Sequence, residues 1–265
     1  MSDQPDHVSA SSNGNGHGDG DPALAAHRSD VTVAASTTGM FELHVFVAPL
    51  DPDPQTVERF EEVCRAHSSE GRRIKALLLY LDFVHLGFAA VMQTSRYVQG
   101  TLDSAWREIA RDAGALRDAG FEVLREKIEA VASNDHVPDD DEQARQIAGG
   151  TYFEYHLQVA RQGDRDGGAP AITRDDEAGL RAIAAAIGRD LEAPVPLSYN
   201  ALKPDRWFLN ARTYGQGRQQ SFARVQQIHD AIEATGSLRV VKVIREFIVG
   251  DTNKALDSGW LEPLP

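Results

Sequence analysis

The sequence is poor in cysteine and has no long apolar run. Cys64 is the single cysteine among 265 residues, which excludes an internal disulfide framework and a thiolate metal cluster. Its position on the apolar face of a predicted helix favours a place in the core. No apolar stretch approaches the roughly 20 residues of a membrane span. Because no basic region followed by an apolar stretch opens the sequence, we expect no secretory signal and a cytoplasmic protein.

Basic charge is also scarce. The chain has 27 Lys and Arg against 40 Asp and Glu, which gives a net charge of −13 at pH 7. Proteins that bind nucleic acid usually carry a basic surface, and anionic membranes attract basic segments. The acidic balance therefore predicts neither nucleic acid nor a membrane as a partner.

Several functional motifs are missing as well. The chain contains no GxxxxGK[ST] phosphate loop, no GxGxxG after a strand, no HExxH and no GxSxG. No group of His, Cys and Asp residues has the spacing of metal ligands, so we predict no metal site. The sequence leaves the cofactor unknown.

Composition divides the chain into four segments. Residues 1–38 are rich in Ser, Gly, Asp and Asn without an apolar period, which predicts a disordered N-terminal tail. Residues 133–150 read as an acidic, turn-rich linker between two longer segments, 39–132 and 151–265. The chain as a whole is 42% hydrophobic and 25% charged, as is usual for globular proteins.

The two long segments resemble each other in sequence. Three matches recur in the same order at an offset of 112 to 117 residues: FELHVFVA at 41–48 with FEYHLQVA at 153–160, YVQG at 97–100 with YGQG at 214–217, and, more weakly, VLREKIE at 123–129 with VVKVIRE at 240–246. Ordered matches at a nearly constant offset predict an internal duplication.

Each half reads as strand, helix, strand, strand, helix, strand. In the first half Asp53 is the predicted N-cap of a helix that starts at Pro54, and Thr101 caps the next helix. Thr173 is the predicted cap of the first helix in the second half. This order is that of the split-βαβ, or ferredoxin-like, unit. We therefore predict an α+β fold, a tandem duplication of a βαββαβ unit arranged as a pseudo-twofold dimer in one chain.

Strand alternation places a charged stripe on the sheet face that points away from the helices. The stripe begins with Glu42 and His44 in the first half and with Glu154 and His156 in the second. The second half adds more charge to this face, so we place the site there. The predicted catalytic residues are His156, Glu154 and Glu246, and the predicted substrate-binding residues are Arg212, Lys242, Lys203, Tyr214, Asn200 and Ser198.

This set of side chains predicts a reaction type. Neighbouring charges can bring the pKa of a histidine into the range for acid/base work, and Arg and Lys can hold a phosphate or a carboxylate. We therefore predict a soluble enzyme that acts on a small anionic (phosphorylated or carboxylated) metabolite by acid/base chemistry at the charged sheet face of the second half.

Other interpretations of the same residues stay open. The chain is alternatively a non-catalytic small-ligand-binding or regulatory module, or a structural or assembly protein that uses the open sheet faces. Opposite charges that pair across a solvated sheet would also explain the stripe without any function. A homo-oligomer is compatible with the sequence.

Overall fold

The computed structural model describes residues 36–147, 151–162, 172, 177–190, 192 and 194–261, with the side chains of 203–206 outside the description. Eight strands are present in these ranges: β1 Thr38–Val47, β2 Lys75–Phe83, β3 Gly87–Thr101, β4 Val123–Val131, β5 Tyr152–Arg161, β6 Leu197–Asn200, β7 Lys203–Tyr214 and β8 Leu238–Asp251. The helices are α1 Pro54–Ala66, α2 Leu102–Asp118, α3 Asp141–Gln146, α4 Glu177–Asp190 and α5 Arg218–Ala234, followed by a 3₁₀ turn, Lys254–Asp257.

The strands and helices predicted for the two halves follow one another in the predicted order, and the predicted linker adds one helix, α3, that the sequence did not predict. Asp53 caps α1, since its side chain accepts from the backbone N–H of Thr56 at 2.8 Å. Thr101 caps α2 in the same way, accepting from the N–H of Ser104 at 3.1 Å. Thr173 and most of the predicted tail, residues 1–35, lie outside the described residues. None of the described helices is both long and apolar enough to cross a membrane.

The predicted arrangement of these elements is wrong. All eight strands form one closed antiparallel barrel in the order β1-β3-β2-β6-β7-β5-β8-β4, so the chain is not a tandem pair of ferredoxin-like sheets in a pseudo-twofold dimer. Two pairings close it: β2 with β6, where Leu81 faces Ser198, and β4 with β8, where Lys127 faces Asp251.

The physical reason for the closure is the state of the sheet edges. A four-stranded sheet leaves unpaired N–H and C=O groups along both outer strands. Pairing each edge with an edge of the other sheet satisfies these groups and removes the edges. Local strand patterns identify the strands but not their partners, so the sequence did not reveal this pairing.

Closure gives the barrel an outer and an inner surface with different chemistry. Phe41, Leu43 and Val45 on β1 are fully buried and belong to the main apolar core with residues of the helices, such as Ile109 of α2. The alternate residues of β1, Glu42 and His44, point into the barrel, and His44 is buried there. The faces that were expected to be open are therefore the lining of the barrel interior.

The C-terminal segment covers one end of the barrel, the end where β1 finishes and β5 begins. The indole Nε1–H of Trp260 donates to the carbonyl of Leu197 at 3.2 Å, and the N–H of Val84 donates to the carbonyl of Gly259 at 2.7 Å. A second apolar cluster fills this end, made of Phe46, Leu81, Phe83, Ala89, Val91, Trp260 and Leu261. We call this the covered end.

Candidate functional site

Three of the predicted site residues meet inside the barrel. His156 Nε2 lies 3.2 Å from Glu246 Oε2 and 3.5 Å from Glu154 Oε1. Glu154 and His156 alternate on β5 and therefore point the same way, and the β5–β8 pairing sets Glu154 directly opposite Glu246. We call Glu154, His156 and Glu246 the second triad.

The first half of the chain builds an equivalent group, although the site was predicted in the second half. His44 Nε2 lies 3.1 Å from Glu129 Oε2 and 3.8 Å from Glu42 Oε1. We call Glu42, His44 and Glu129 the first triad. Its histidine side chain is 8% exposed, whereas that of His156 is 22% exposed, so the second triad is the more accessible of the two.

Both histidines are fixed by a hydrogen bond at Nδ1. His44 Nδ1 donates to the carbonyl of Thr94 at 2.7 Å. His156 Nδ1 lies 2.6 Å from Asn210 Oδ1, and the amide nitrogen of Asn210 donates to the carbonyl of Pro196 at 3.0 Å. Since Asn210 already uses its nitrogen as a donor, its oxygen accepts from His156. Each imidazole therefore presents Nε2 to its two carboxylates.

Lys127 joins the two triads, and the sequence analysis missed it. Its ammonium lies 2.8 Å from Glu129 Oε1 and 2.9 Å from Glu154 Oε1, and its side chain is 5% exposed. Every second position in the middle of β4 is charged, at Arg125, Lys127 and Glu129, and this pattern indicates a charged strand face. This charged strand face can be recognised in the sequence. With two separate sheets predicted, however, there was no reason to expect the side chains of β4 to contact those of β5.

An arginine layer lies between Lys127 and the covered end. Arg125 binds one carboxylate, Asp257, through Nη1 at 2.8 Å and Nη2 at 2.9 Å, and it also binds Asp251 at 2.6 and 2.8 Å. Arg212 Nη2 lies 2.6 Å from the same Asp257 and 2.7 Å from Glu154. Both arginine side chains are 1% exposed. The sequence did not predict Arg125, Asp251 or Asp257 as site residues.

The remaining predicted substrate-binding residues lie outside the second triad. Tyr214 is half exposed, and its hydroxyl accepts from Arg212 at 3.2 Å. Ser198 is buried and accepts from the amide of Asn210 at 3.0 Å. It therefore helps to hold Asn210, the residue that binds His156. Asn200 is buried and accepts from the N–H of Leu202 at 3.0 Å. Lys242 is exposed on β8 opposite Gln158, and the Lys203 side chain lies outside the described residues.

Burial and close charges alter the protonation of the triads. Burial by itself lowers the pKa of His156, but Glu246 and Glu154 outweigh it and raise that pKa to about 9. Burial and the neighbouring Glu129 raise the pKa of Glu246 to about 7, although His156 opposes this. For Glu154, Lys127 and Arg212 outweigh burial and hold the pKa well below its usual range. Of the two carboxylates of the second triad, Glu246 is therefore the one whose negative charge is stabilised less by its neighbours.

Each triad supplies a donor set that suits a metal ion. In each, one imidazole nitrogen and two carboxylate oxygens lie within 4.8 Å of one another. Imidazole and carboxylate together suit divalent transition metals. The three donors come from strands far apart in sequence, so local spacing did not reveal them.

A separate surface pocket of about 810 Å³ lies against α4 and the turn after β2, next to Trp260. Its arginine, Arg181, is already paired with Asp82 through two bonds of 2.6 and 2.8 Å. None of the residues of either triad lines this pocket. The pocket and the two triads are therefore separate places in the fold.

Comparisons with known proteins give no family. No protein-family model matches the chain, and no curated protein matches it. A protein described as a monooxygenase from Fusobacterium nucleatum is 13% identical with a TM-score of 0.29, covering 86% of this chain and 99% of its own. A heme-binding protein from Thermus thermophilus is also 13% identical, with a TM-score of 0.28 and coverage of 80% and 91%.

A third solved structure, a dye-decolorizing protein from V. cholerae, is 9% identical with a TM-score of 0.25, covering 82% of this chain and 96% of its own. Scores at this level carry no argument about function. The chemistry of this chain has to be read from its own residues, and these define a closed antiparallel barrel with a charged, hydrogen-bonded interior.

Proposed function

We propose that the protein is an enzyme that binds a small anionic metabolite, phosphorylated or carboxylated, inside the barrel. The proposed reaction centre is the second triad, since His156 is more exposed than His44. Acid/base chemistry by His156 with Glu154 and Glu246 is the reaction type that the sequence predicts for this centre.

One observation supports the proposal: two buried arginines converge on a single carboxylate. Arg125 and Arg212 together give Asp257 three short N–H···O contacts, of 2.6 to 2.9 Å. Planar guanidinium groups match carboxylate and phosphate oxygens in this way. Asp257 therefore stands in for the anionic group of a ligand, and it comes from a 3₁₀ turn of four residues at the covered end.

The position of the anion site suits the proposed reaction centre. Arg212 contacts Asp257 with Nη2 and Glu154 with both Nε and Nη2. An anionic group bound in place of Asp257 would thus contact Arg212, the same arginine that contacts Glu154 of the second triad. The alternative of an assembly protein loses its basis, because the sheet faces that it required line the barrel interior.

Replacement of Asp257 tests the anion site. Asp257→Asn keeps the shape of the side chain but removes its charge, so Arg125 and Arg212 should accept an added anion. We expect this variant to bind inorganic phosphate or malonate at least about tenfold more tightly than the wild type, as one recovered charge pair implies. Isothermal titration calorimetry with each anion measures the difference.

The matched control is Asp82→Asn, which removes a carboxylate from Arg181 outside the barrel. It should leave phosphate and malonate binding at the wild-type level. Equal anion binding by the two variants would show that Arg125 and Arg212 are structural, and it would refute the proposed anion site.

A further inference from the structure

The second triad brings an imidazole nitrogen face to face with carboxylate oxygens. These atoms are all hydrogen-bond acceptors when the imidazole is neutral, so the arrangement is unfavourable by itself. Because His156 uses its Nδ1–H on Asn210, its Nε2 is the nitrogen that faces Glu154 and Glu246. A nitrogen lone pair that faces carboxylate oxygens needs a positive species between them, either a proton or a metal ion. The Asn210 bond is also the support that metal-binding histidines usually have at their other nitrogen.

One oxygen of the triad lacks a hydrogen bond. Glu246 Oε2 is buried and makes no well-formed hydrogen bond to a described residue, and its contact with His156 Nε2 is 3.2 Å long. Glu246 as a residue is 8% exposed. A buried carboxylate oxygen without a donor is unfavourable, and this one points at the imidazole.

The charges around Glu246 lead to the same conclusion. Glu154 is paired with Lys127 and Arg212, whereas the ion pair found for Glu246 in the described part of the chain is with His156. A cation added beside Glu246 would be favourable.

We propose that Glu154, His156 and Glu246 bind one divalent transition-metal cation, such as Zn²⁺ or Mn²⁺. The ligands are His156 Nε2, Glu246 Oε2 and Glu154 Oε1. Glu154 Oε1 also accepts from Lys127 at 2.9 Å, and a carboxylate oxygen has a second lone pair for the metal. Three protein ligands leave coordination positions for water or a substrate oxygen, on the side where His156 is exposed.

The first triad does not qualify for this role and provides a control. His44 Nε2 makes a hydrogen bond of 3.1 Å to Glu129, and Lys127 binds the other oxygen of Glu129. Glu42 accepts from the hydroxyl of Ser95 at 2.5 Å. Its donors are thus occupied by protein groups.

Metal binding by the full-length protein tests the proposal. After removal of metal with a chelator, the wild type should bind one equivalent of Zn²⁺ or Mn²⁺, measured by elemental analysis and calorimetry. His156→Ala and Glu246→Gln should each weaken binding by about 100-fold, because each removes one of three ligands. His44→Ala leaves all three ligands in place and should weaken binding by no more than about tenfold, through the shared network of Lys127, and Glu42→Gln replaces it as the control if that variant does not fold.

Two results would overturn the metal site. One is a wild type that binds neither Zn²⁺ nor Mn²⁺, and the other is an equal loss of binding in the His44 and His156 variants. In either case the phosphate and malonate titrations of Asp257→Asn are unaffected, because Asp257 is bound by Arg125 and Arg212. The metal site and the anion site therefore fail separately. Metal binding and proton transfer would both use His156 Nε2, so the two roles exclude each other. A wild type that binds neither metal would therefore leave His156 with the acid/base role predicted from its sequence.

Discussion

Lys127 on β4 and Glu154 on β5 form an ion pair of 2.9 Å although β8 lies between their two strands in the barrel. The pair passes over β8 on the inner face of the barrel and ties the first half of the chain to the second. Because Lys127 also binds Glu129, one ammonium neutralises a carboxylate from each triad. The barrel interior is therefore one electrostatic network.

Removal of the central ammonium should destabilise the fold. Lys127→Met leaves Glu129 and Glu154 buried without their common partner, and we expect a loss of about 3–5 kcal/mol in the free energy of unfolding. Lys242→Met, at an exposed position on β8, should change it by less than about 0.5 kcal/mol. Urea denaturation of both variants at pH 7 gives the comparison, and similar midpoints would mean that the buried pair contributes nothing.

Stability should depend on pH through His44. The carboxylates of Glu129 and Glu42 outweigh burial and the opposing charge of Lys127, and they raise the pKa of His44 in the folded protein to about 9, from 6.5. Because the folded pKa is the higher one, the stabilisation is complete below pH 6.5 and is lost as the pH rises through 9. His44→Gln should lack this contribution, which is about 3 kcal/mol for a shift of this size.

The free energy of unfolding of the wild type and of His44→Gln tests this prediction. It is measured with a chelator present at pH 6, 7.5 and 9.5, a range of ~3.5 pH units. The difference between the two proteins should shrink steadily with pH. A difference that stays constant would show that His44 is held neutral.

Cys64 should be chemically inert in the native protein. Burial, together with the nearby carboxylates of Asp112 and Glu61, raises the pKa of its thiol to about 12. Since the thiolate is the reactive form, iodoacetamide at pH 8 should leave the folded protein unmodified and alkylate it fully in denaturant. Mass spectrometry of the intact protein distinguishes the two, and rapid labelling without denaturant would contradict the burial of Cys64.

Two glycines should respond in opposite directions to alanine. A Cβ at Gly217, the N-cap of α5, would collide with the backbone of Asp140, so Gly217→Ala should cost about 1–3 kcal/mol through overpacking. A Cβ at Gly114 within α2 meets nothing within 4 Å, so Gly114→Ala should stabilise by about 0.5–1 kcal/mol. Thermal unfolding of the two variants measures both effects. A rise in melting temperature for Gly217→Ala would contradict the packing at Gly217, and a fall for Gly114→Ala would contradict the open space at Gly114.

Local patterns in the sequence were sufficient for the strands and helices. Alternation on β1 separated Phe41 and Leu43 from His44 correctly, because the strand face that packs against the helices is apolar and successive side chains point to opposite faces. The caps at Asp53 and Thr101 were readable because a helix start needs a side-chain acceptor within three residues. Such signals depend on neighbours in the chain.

Contacts between the two halves were not readable in this way. Lys127 and Asp257 belong to the interior only because β4 pairs with β8 and the C-terminal segment folds over the covered end. No short sequence motif encodes these contacts. The sequence did predict that Glu154, His156 and Glu246 share a face, and the structure brings them together, but the contact of Lys127 with Glu154 required knowledge of the closure. The roles of these residues stay proposals.

Closure of the barrel also has a consequence for the growing chain on the ribosome. β2 and β4 are synthesised well before β6 and β8, the strands that cover their outer edges. Until residue 251 has emerged, the edge of β4 has no complete partner, and the charged lining of β1 faces water. The nascent protein therefore passes through a stage with exposed sheet edges, at which pairing with another chain competes with its own completion.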